Sequence, residues 1–218
     1  AASQHPRSAH ISRIRRIRDR ASSRMVKIGI TGGIGGGKSY VCNLLKQQGM
    51  PVYNCDQEAK RLMTESPLIK QRLKQVIGKD AYIDDKVLNK AAIAAFLFAN
   101  TENAAIINSI VHPAVMQDFT DWANRQQADI VVQESALLFE AKFDKTVDAT
   151  IEVYAPKDIR LQRAIARDNA SAKQIEVRMA QQMDEEEKRQ RADFCIINDG
   201  IQDINKQLET ILKQLKTK

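Results

Sequence analysis

The sequence has few cysteines, few aromatic residues and no long apolar run, and each shortage excludes a class of protein. Its three cysteines are an odd number and form no C-x-x-C pair, which excludes a disulfide framework and a cysteine-rich zinc site. Aromatic residues make up only 5% of the 218 residues, so surfaces on which nucleic-acid bases stack are scarce. No apolar run approaches the roughly 20 residues of a membrane-spanning helix. We therefore expect a cytoplasmic protein that binds neither membranes nor nucleic acid.

The net charge of +7 is concentrated at the amino terminus. Residues 1–24 contain seven arginines and one acidic residue, whereas the remaining chain has 27 basic and 26 acidic residues. Because that remainder is nearly neutral, the overall charge does not indicate a polyanion partner for it.

We interpret residues 1–24, which precede Met25, as an extension that arose from cloning or upstream translation. The alternative is a mitochondrial presequence, since the segment is rich in Arg and Ser. A nucleotide-dependent protein that binds RNA or membranes through this basic segment is a second functional hypothesis.

A glycine-rich segment, GGIGGGKS at Gly32 to Ser39, fits the phosphate-loop pattern G-x-x-x-x-G-K-[ST]. A strand is predicted before it at residues 25–31 and a helix after it at residues 39–49, which is the context that the motif requires. In such a loop, backbone N–H groups surround the phosphates, the lysine reaches the β- and γ-phosphates, and the serine hydroxyl contacts Mg²⁺. We predict ATP contacts at Gly33, Ile34, Gly35, Gly36, Gly37, Lys38, Ser39 and Tyr40, with Ser39 also a ligand of Mg²⁺.

Apolar segments alternate with helical patterns along the rest of the chain, which favours an α/β protein with a parallel sheet. Residues 57–127 are predicted to be an all-helical insertion, with one helix over Lys86–Asn100. The chain closes with an amphipathic helix whose apolar side includes Ile201 and Leu208. The predicted fold is a three-layer α/β sandwich with a parallel sheet of five strands, and its core spans residues 25–56 and 128–218. The strands are predicted at residues 25–31, 51–55, 130–133, 145–156 and 193–199.

Two acidic residues follow predicted strands, at the sheet edge where ligands bind in open parallel sheets. Asp56 comes after the second strand, where its carboxylate could accept a proton from an acceptor hydroxyl. Asp also favours the N-cap position of the helix that follows, and the two roles are compatible. Glu134 comes after the third strand and could hold Mg²⁺ or orient the loop, with a solvated side chain as the alternative.

Arginines recur on the helix predicted after the fourth strand. Arg160, Arg163 and Arg167 are three and four residues apart, so they lie on or near one face. A charged face is usually only solvated. Here a helix break follows, as in a mobile lid whose arginines neutralise phosphate charge. We place this lid at about residues 160–192.

The kind of phosphate-loop protein can be narrowed further. A GTP switch needs N-K-x-D after a strand, and neither N-K pair, at Asn89 and Asn205, supplies the Asp. A helicase or motor normally has a basic track and stacking aromatics, which the nearly neutral remainder lacks.

Residues 25–218 resemble the dephospho-coenzyme A kinase family. The matching segments are GITGGIGGGKSYV, VYNCDQEAKRL, VHP, ESALLFE, RLQRAIARD, MAQQM, KRQRAD and CIINDG.

The resemblance implies transfer of the γ-phosphoryl group of ATP to the 3′-hydroxyl of dephospho-CoA, which is the last step of coenzyme A synthesis. It implies that Asp56 is the base for that hydroxyl and that Lys38 handles the phosphates. It also implies that Arg163 and Arg167 act from the lid, and that Asn198 lies near the nucleotide base. The helical insertion would hold dephospho-CoA. A nucleoside monophosphate kinase is the alternative function, and we expect a monomer or a small homo-oligomer.

Two further residues are assigned to the substrate, and four positions, Gly36, Tyr40, Asn54 and Ala136, depart from the family pattern. His112 and Glu140 lie in the matched VHP and ESALLFE segments, and both are predicted to contact the substrate. For His112 the alternative is a helix boundary, because a proline follows it. Tyr40 stands where the family often has Thr. Asn54 replaces the first carboxylate of the family's D-x-D, so one carboxylate of that pair remains.

Overall fold

The chain folds into two compact units. A computed structural model describes residues 25–216, so the predicted basic extension, residues 1–24, lies outside the described residues. One unit contains the described residues up to Tyr53 together with those from Gln126 onward, and the other contains Asn54–Arg125. The predicted insertion, residues 57–127, is close to the bounds of the second unit.

The larger unit is built on a five-stranded sheet. Its strands are β1 (Val26–Thr31), β2 (Val52–Asn54), β5 (Ile130–Glu134), β6 (Ala149–Tyr154) and β7 (Phe194–Ile197). They lie in the order β2-β5-β1-β6-β7, and β1 pairs in parallel with both β5 and β6. The pairing of β6 with β7 is also parallel. Parallel neighbours need long crossover connections, which helices supply here. The predicted α/β class with a five-stranded parallel sheet is confirmed.

Five helices complete the described part of the larger unit, and the first and the last of them pack apolar residues against the sheet. They are α1 (Lys38–Gln47), α6 (Lys157–Asp168), α7 (Ala172–Ala180), α8 (Glu185–Arg191) and α9 (Ile204–Lys216). Residues of α1 and α9 join those of the strands in one buried cluster, because each helix is apolar along a single side. Members of this cluster include Ile28, Ile30, Val41, Leu45, Ile151, Leu208 and Leu212.

Two boundaries in the larger unit differ from the prediction. The fourth predicted strand begins later, at Ala149, because Phe143–Thr146 form a short 3-10 helix that follows Lys142 at a φ of 60°. Ile201, predicted on the apolar side of the last helix, lies before α9 and is 89% exposed. The chain turns there because the Asp199 carboxylate accepts the N–H group of Ile201 at 2.9 Å.

Helices make up most of the smaller unit. They are α2 (Cys55–Glu65), α3 (Pro67–Ile77), α4 (Lys90–Ala99) and α5 (Asn103–Asn124). An ion pair at 2.7 Å between Arg61 and Asp118 joins α2 to α5. Although α5 has 22 residues, no helix within residues 25–216 combines the length and the apolar content that crossing a bilayer requires.

The prediction that the insertion is all helical is wrong. Strands β3 (Tyr82–Asp84) and β4 (Val87–Leu88) form an antiparallel hairpin between α3 and α4. The predicted helix over 86–100 therefore begins only at Lys90. Asn89 sets that start as the N-cap, since its side chain accepts the N–H group of Ala92 at 3.2 Å.

Candidate active site

The phosphate loop, Gly32 to Ser39, connects β1 to α1 and has a backbone that favours glycine at two positions in particular. Gly35 has a φ of 78° and Gly37 a φ of 95°, both in the left-handed region. A Cβ atom at Gly35 would lie 2.1 Å from the carbonyl oxygen of Arg160. One at Gly37 would lie 2.0 Å from Nδ2 of Asn198. Both backbone conformation and close packing therefore require these glycines.

The loop ends at the amino terminus of α1, which favours a bound anion. α1 begins at Lys38, and its N-cap residue Gly37 makes no side-chain cap hydrogen bond. The first turn also contains no acidic residue. N–H groups at a helix start have no acceptor within the helix, and the helix dipole adds partial positive charge there. The first turn of α1, which includes Ser39 and Tyr40, therefore presents donors suited to a phosphate group.

Glu134, the last residue of β5, joins Lys38 and Ser39 in one cluster. Its Oε1 atom accepts hydrogen bonds from Lys38 Nζ at 2.7 Å and from Ser39 Oγ at 3.0 Å. Glu134 is only 4% exposed, so the alternative of a solvated side chain is wrong. β5 pairs with β1 so that Glu134 lies opposite Ile30, and this register places the carboxylate beside the loop. A charged pair with so little surrounding water interacts strongly.

The thiol of Cys42 lies close to this cluster. Cys42 comes one turn after Lys38 in α1 and is buried. Burial and the nearby Glu134 carboxylate raise the pKa of the Cys42 thiol well above its ordinary value. Cys42 therefore stays protonated at neutral pH and is a poor nucleophile.

Asn198 follows β7 and links the loop to α6. Its Nδ2 atom donates to the carbonyl oxygen of Gly36 at 2.9 Å, and its N–H group donates to the carbonyl oxygen of Tyr154 at 2.7 Å. Arg163 donates through Nη1 to the carbonyl oxygen of Asn198 at 3.0 Å and through Nη2 to its Oδ1 atom at 3.4 Å. Two predicted site residues, Asn198 and Arg163, thus lie together beside the loop.

The other two arginines of α6 have different surroundings. Arg167 has a side chain that is 60% exposed and pairs with Asp168 at 2.6 Å, and its catalytic role stays a prediction. Arg160 is 7% exposed, so the alternative of a merely solvated charged face is wrong for this arginine. Its Nε atom donates to the carbonyl oxygen of Ala155 at 3.0 Å, and Nη1 donates to that of Ile34 at 3.4 Å. Arg160 is therefore the α6 arginine that contacts the backbone of the phosphate loop at Ile34.

Two side chains at the junction of α7 and α8 bind the first turn of the loop. The N–H group of Gly33 donates to Oε2 of Glu185 at 3.3 Å. The N–H group of Ile34 donates to Oε1 of Gln182 at 3.1 Å. The predicted lid segment is thus in direct contact with the loop through two residues to which the sequence analysis assigned no role.

Glu140, predicted to contact the substrate, meets the same junction. Its side chain is exposed, and its Oε1 atom accepts the N–H group of Met183 at 2.9 Å. This contact ties the segment after β5 to the connection between α7 and α8. Binding of substrate by Glu140 stays a prediction.

Asp56 lies in the smaller unit, in the first turn of α2, and is exposed. The N-cap alternative for Asp56 is wrong, because the N-cap is Asn54, whose Oδ1 atom accepts the N–H group of Gln57 at 2.9 Å. Helix α2 begins at Cys55, directly after β2, so Asp56 already belongs to the helix. Its carboxylate is therefore exposed to solvent rather than committed to capping.

His112 lies inside α5, which continues through Pro113. The helix-boundary alternative for His112 is therefore wrong. Buried residues on the same helix, Val111 and Val115, hold α5 in place despite the hydrogen bond that the proline removes. Burial lowers the pKa of His112, so its imidazole is neutral at pH 7. Contact with substrate stays a prediction for this residue.

A groove of 420 Å³ lies among α2, α3 and α5 of the smaller unit. Apolar side chains line it, among them Leu62, Ile69 and Ile110, and so do the charged side chains of Arg72 and Asp118. This mixed lining suits a ligand that has both apolar and polar parts.

Comparison with known proteins decides the family. The dephospho-CoA kinase family model matches residues 26–203, a range that contains the phosphate loop, Asp56, Glu134 and Asn198. This chain belongs to the dephospho-CoA kinase family. The predicted family resemblance and the predicted phosphotransferase class are thereby confirmed.

A curated relative agrees with the dephospho-CoA kinase assignment, and two solved structures share the fold. A dephospho-CoA kinase of Bacteroides fragilis is 46% identical over 176 residues, which cover 80% of this chain and 85% of the relative. The solved structure of TT1252 from Thermus thermophilus is 32% identical, with a TM-score of 0.77 over 89% of this chain and 100% of that chain. The structure of a dephospho-CoA kinase from Campylobacter jejuni is 22% identical and shows the same fold. Its TM-score is 0.62 over 87% of this chain and 97% of that chain.

Sequence reasoning about this dephospho-CoA kinase family member missed the contacts at the first turn of the loop. Arg160 was visible as one of three regularly spaced arginines, but spacing alone does not say which of them faces the loop. Gln182 lies in the matched MAQQM segment, which does not reveal its contact with the loop, and Glu185 lies in none of the matched segments. Their contacts depend on how α7 and α8 pack in the larger unit, and no local pattern reveals that packing.

Proposed function

We propose that this protein transfers the γ-phosphoryl group of ATP to the 3′-hydroxyl group of dephospho-CoA, which yields coenzyme A and ADP. Membership of the dephospho-CoA kinase family is the observation that carries the proposal. The loop supports it, because Lys38 and Ser39 are grouped at the start of α1, where a triphosphate binds in proteins with this motif. The reaction is the final step of coenzyme A biosynthesis.

Lys38 contributes positive charge toward the β- and γ-phosphates, and the first turn of α1 contributes backbone donors. Ser39 and Glu134 fit Mg²⁺, because a hydroxyl and a carboxylate oxygen 3.0 Å apart are the hard donors that this ion prefers. Within residues 25–216 there is no cluster of three or more His, Cys, Asp or Glu ligands, which agrees with an ion held by few protein groups and by phosphates. The chemical contribution of Mg²⁺, when bound, is to offset negative charge on the phosphate oxygens.

Asp56 is the proposed base. As the 3′-oxygen forms its bond to the γ-phosphorus and the bond from that phosphorus to ADP breaks, the Asp56 carboxylate accepts the proton of the hydroxyl. Its exposed position at the start of α2, directly after β2, leaves the carboxylate open to a substrate. Arg163 and Arg167 are proposed to offset charge on the transferred group, and Asn198 is proposed to contact the nucleotide base.

The unit Asn54–Arg125 is proposed to bind dephospho-CoA. Its groove has apolar walls, which suit the aliphatic arm of the substrate, and three charged lining residues, Arg72, Asp118 and Asp121. His112, which is neutral at pH 7, precedes the lining residue Pro113 on α5, and its imidazole can donate or accept a hydrogen bond. Glu140 stays a proposed substrate residue because of its place in the matched ESALLFE segment.

A direct assay tests the proposed reaction. Purified protein with ATP, Mg²⁺ and dephospho-CoA is expected to form ADP and coenzyme A in equal amounts, measured by a coupled spectrophotometric assay and by chromatography. Lys38→Ala serves as the inactive control, because it removes the charge that contacts the phosphates. Turnover of a nucleoside monophosphate without turnover of dephospho-CoA would instead make the protein a nucleotide kinase.

A further inference from the structure

The first turn of the phosphate loop has its N–H groups committed to protein side chains. Gly33 donates to Glu185, and Ile34 donates to Gln182, at 3.3 and 3.1 Å. The turn is closed by a hydrogen bond of 2.9 Å from the N–H group of Gly36 to the carbonyl oxygen of Gly33. Three N–H groups at the start of the loop thus donate within the protein, and the Gly33–Ile34 segment has a structural task.

Arg160 and Glu185 converge on this turn. Arg160 Nη1 donates to the carbonyl oxygen of Ile34 at 3.4 Å. A Cβ atom at Gly33 would lie 2.6 Å from Arg160 Nη1 and 2.4 Å from Glu185 Oε1, so any larger residue would displace both side chains. The backbone of Arg160 also contacts the loop, because a Cβ atom at Gly35 would lie 2.1 Å from its carbonyl oxygen.

Both residues are themselves held in place. Oε1 of Glu185 lies 3.3 Å from Nζ of Lys188, whose side chain is completely buried. Oε2 of Glu185 lies 3.9 Å from Nη1 of Arg160. Arg160 is anchored further by its Nε hydrogen bond to Ala155 at 3.0 Å. Charged groups with little access to water hold a fixed geometry well, because breaking any one contact leaves a charge unpaired.

We propose that Arg160 and Glu185 are positioning residues of the nucleotide site, which hold the Gly33–Ile34 turn so that the loop is already shaped for a triphosphate. A loop held in its binding conformation does not have to be ordered when the ligand arrives, and this increases affinity. Neither residue is placed on the reacting atoms. The role in catalysis rests on the proposed function, whereas the role in nucleotide binding is testable without it.

The test measures ATP binding by calorimetry together with KM and kcat for both substrates. Glu185→Ala and Arg160→Met are each expected to weaken ATP binding roughly tenfold and to raise KM for ATP similarly, with KM for dephospho-CoA unchanged. Glu185→Gln keeps an oxygen that accepts from Gly33, so we expect it to bind ATP within about threefold of the unchanged protein. The double variant is expected to be less impaired than the product of the single effects, because both residues act on one turn.

Glu187→Ala is the matched control. Glu187 lies in the same first turn of α8, and its ion pair is with Arg191 rather than with the loop. We expect its ATP affinity to match that of the unchanged protein.

Several results would overturn the positioning role. Unchanged ATP affinity in both Glu185→Ala and Arg160→Met, with only a lower Tm, would show a purely structural role. Tighter ATP binding would show that the Glu185 carboxylate competes with phosphate. A Glu185→Gln variant that binds ATP no better than Glu185→Ala would show that the hydrogen bond to Gly33 does not hold the turn, which contradicts the positioning role of Glu185. Absence of dephospho-CoA turnover in the unchanged protein, with ATP affinities as expected, would instead count against the proposed function alone.

Discussion

At the scale of single residues, contacts within the protein fix the side chain of Lys38 and the backbone of Gly37 in the phosphate loop. Lys38 is held by a buried carboxylate at 2.7 Å, so its long side chain is already oriented before a nucleotide binds. Gly37, the residue just before it, has both a left-handed backbone and a side-chain amide against its Cα.

Gly37→Ala is expected to weaken ATP binding more than tenfold, because the new Cβ atom is incompatible with the φ of 95° and would lie 2.0 Å from Asn198 Nδ2. Calorimetric titration with ATP measures the loss. Gly49→Ala is the matched control, since Gly49 has a φ of 82° but no atom within 4 Å of a Cβ atom there. It is expected to lose stability and to keep its ATP affinity. Equal ATP affinity in the two variants would contradict this prediction.

Asp56→Asn is expected to lower kcat by roughly a hundredfold or more, because the amide cannot accept the proton of the acceptor hydroxyl. ATP affinity is expected to stay within about twofold, since the change is made outside the phosphate loop. The coupled assay and calorimetry provide the two measurements. Unchanged turnover would remove Asp56 as the base.

At the scale of elements, the start of α2 decides what Asp56 can do. β2 ends at Asn54 and α2 begins at the next residue, so there is no loop between them. Asn54 satisfies the N–H group of Gln57, and this leaves the neighbouring Asp56 free of the capping task.

Asn54→Ala is expected to lower the free energy of unfolding by about 1 kcal/mol, which is a typical loss for an N-cap side chain. Urea denaturation followed by circular dichroism measures this change. Asn54→Asp keeps an oxygen acceptor and is expected to stay close to the unchanged protein. If Asn54→Asp lost as much stability as Asn54→Ala, capping would not be the task of Asn54.

At the scale of the whole molecule, one buried carboxyl group makes the stability of the protein depend on pH. Glu152 on β6 is fully buried, and among the residues that the structure describes neither of its carboxylate oxygens has a hydrogen-bond partner. Burial, together with the nearby carboxylate of Glu185, raises the pKa of Glu152 to about 8. Lys188 and Arg189 of α8 oppose this shift, and Cys195 faces Glu152 from β7.

The stability of the protein is expected to fall as the pH rises toward 8. The folded pKa of Glu152, about 8, exceeds its ordinary value of 4.5, so the folded state keeps a proton that the unfolded state has lost. The stability linked to this proton is fully present below about pH 4.5 and is lost as the pH rises through about 8. Between those values, the loss is at most about 1.4 kcal/mol per pH unit.

Urea denaturation at pH 6 and pH 8 measures this loss. Glu152→Gln, which cannot ionise, is expected to lack the slope. Glu209→Gln, at an exposed residue of α9 that pairs with Lys213, is expected to keep it. An unchanged slope in Glu152→Gln would contradict the assignment.

The sequence alone determined the family, the parallel α/β sheet and the centre of the phosphate site. Lys38 and Ser39 were predictable because the motif is local, and Glu134 because strand ends converge at one edge of a parallel sheet. Only the tertiary structure decided that Asn54 rather than Asp56 caps α2, that a hairpin interrupts the insertion, and that Arg160 and Glu185 hold the loop. Glu185 is 152 residues from Gly33 in the chain, and such contacts depend on how helices pack, which residue spacing does not encode.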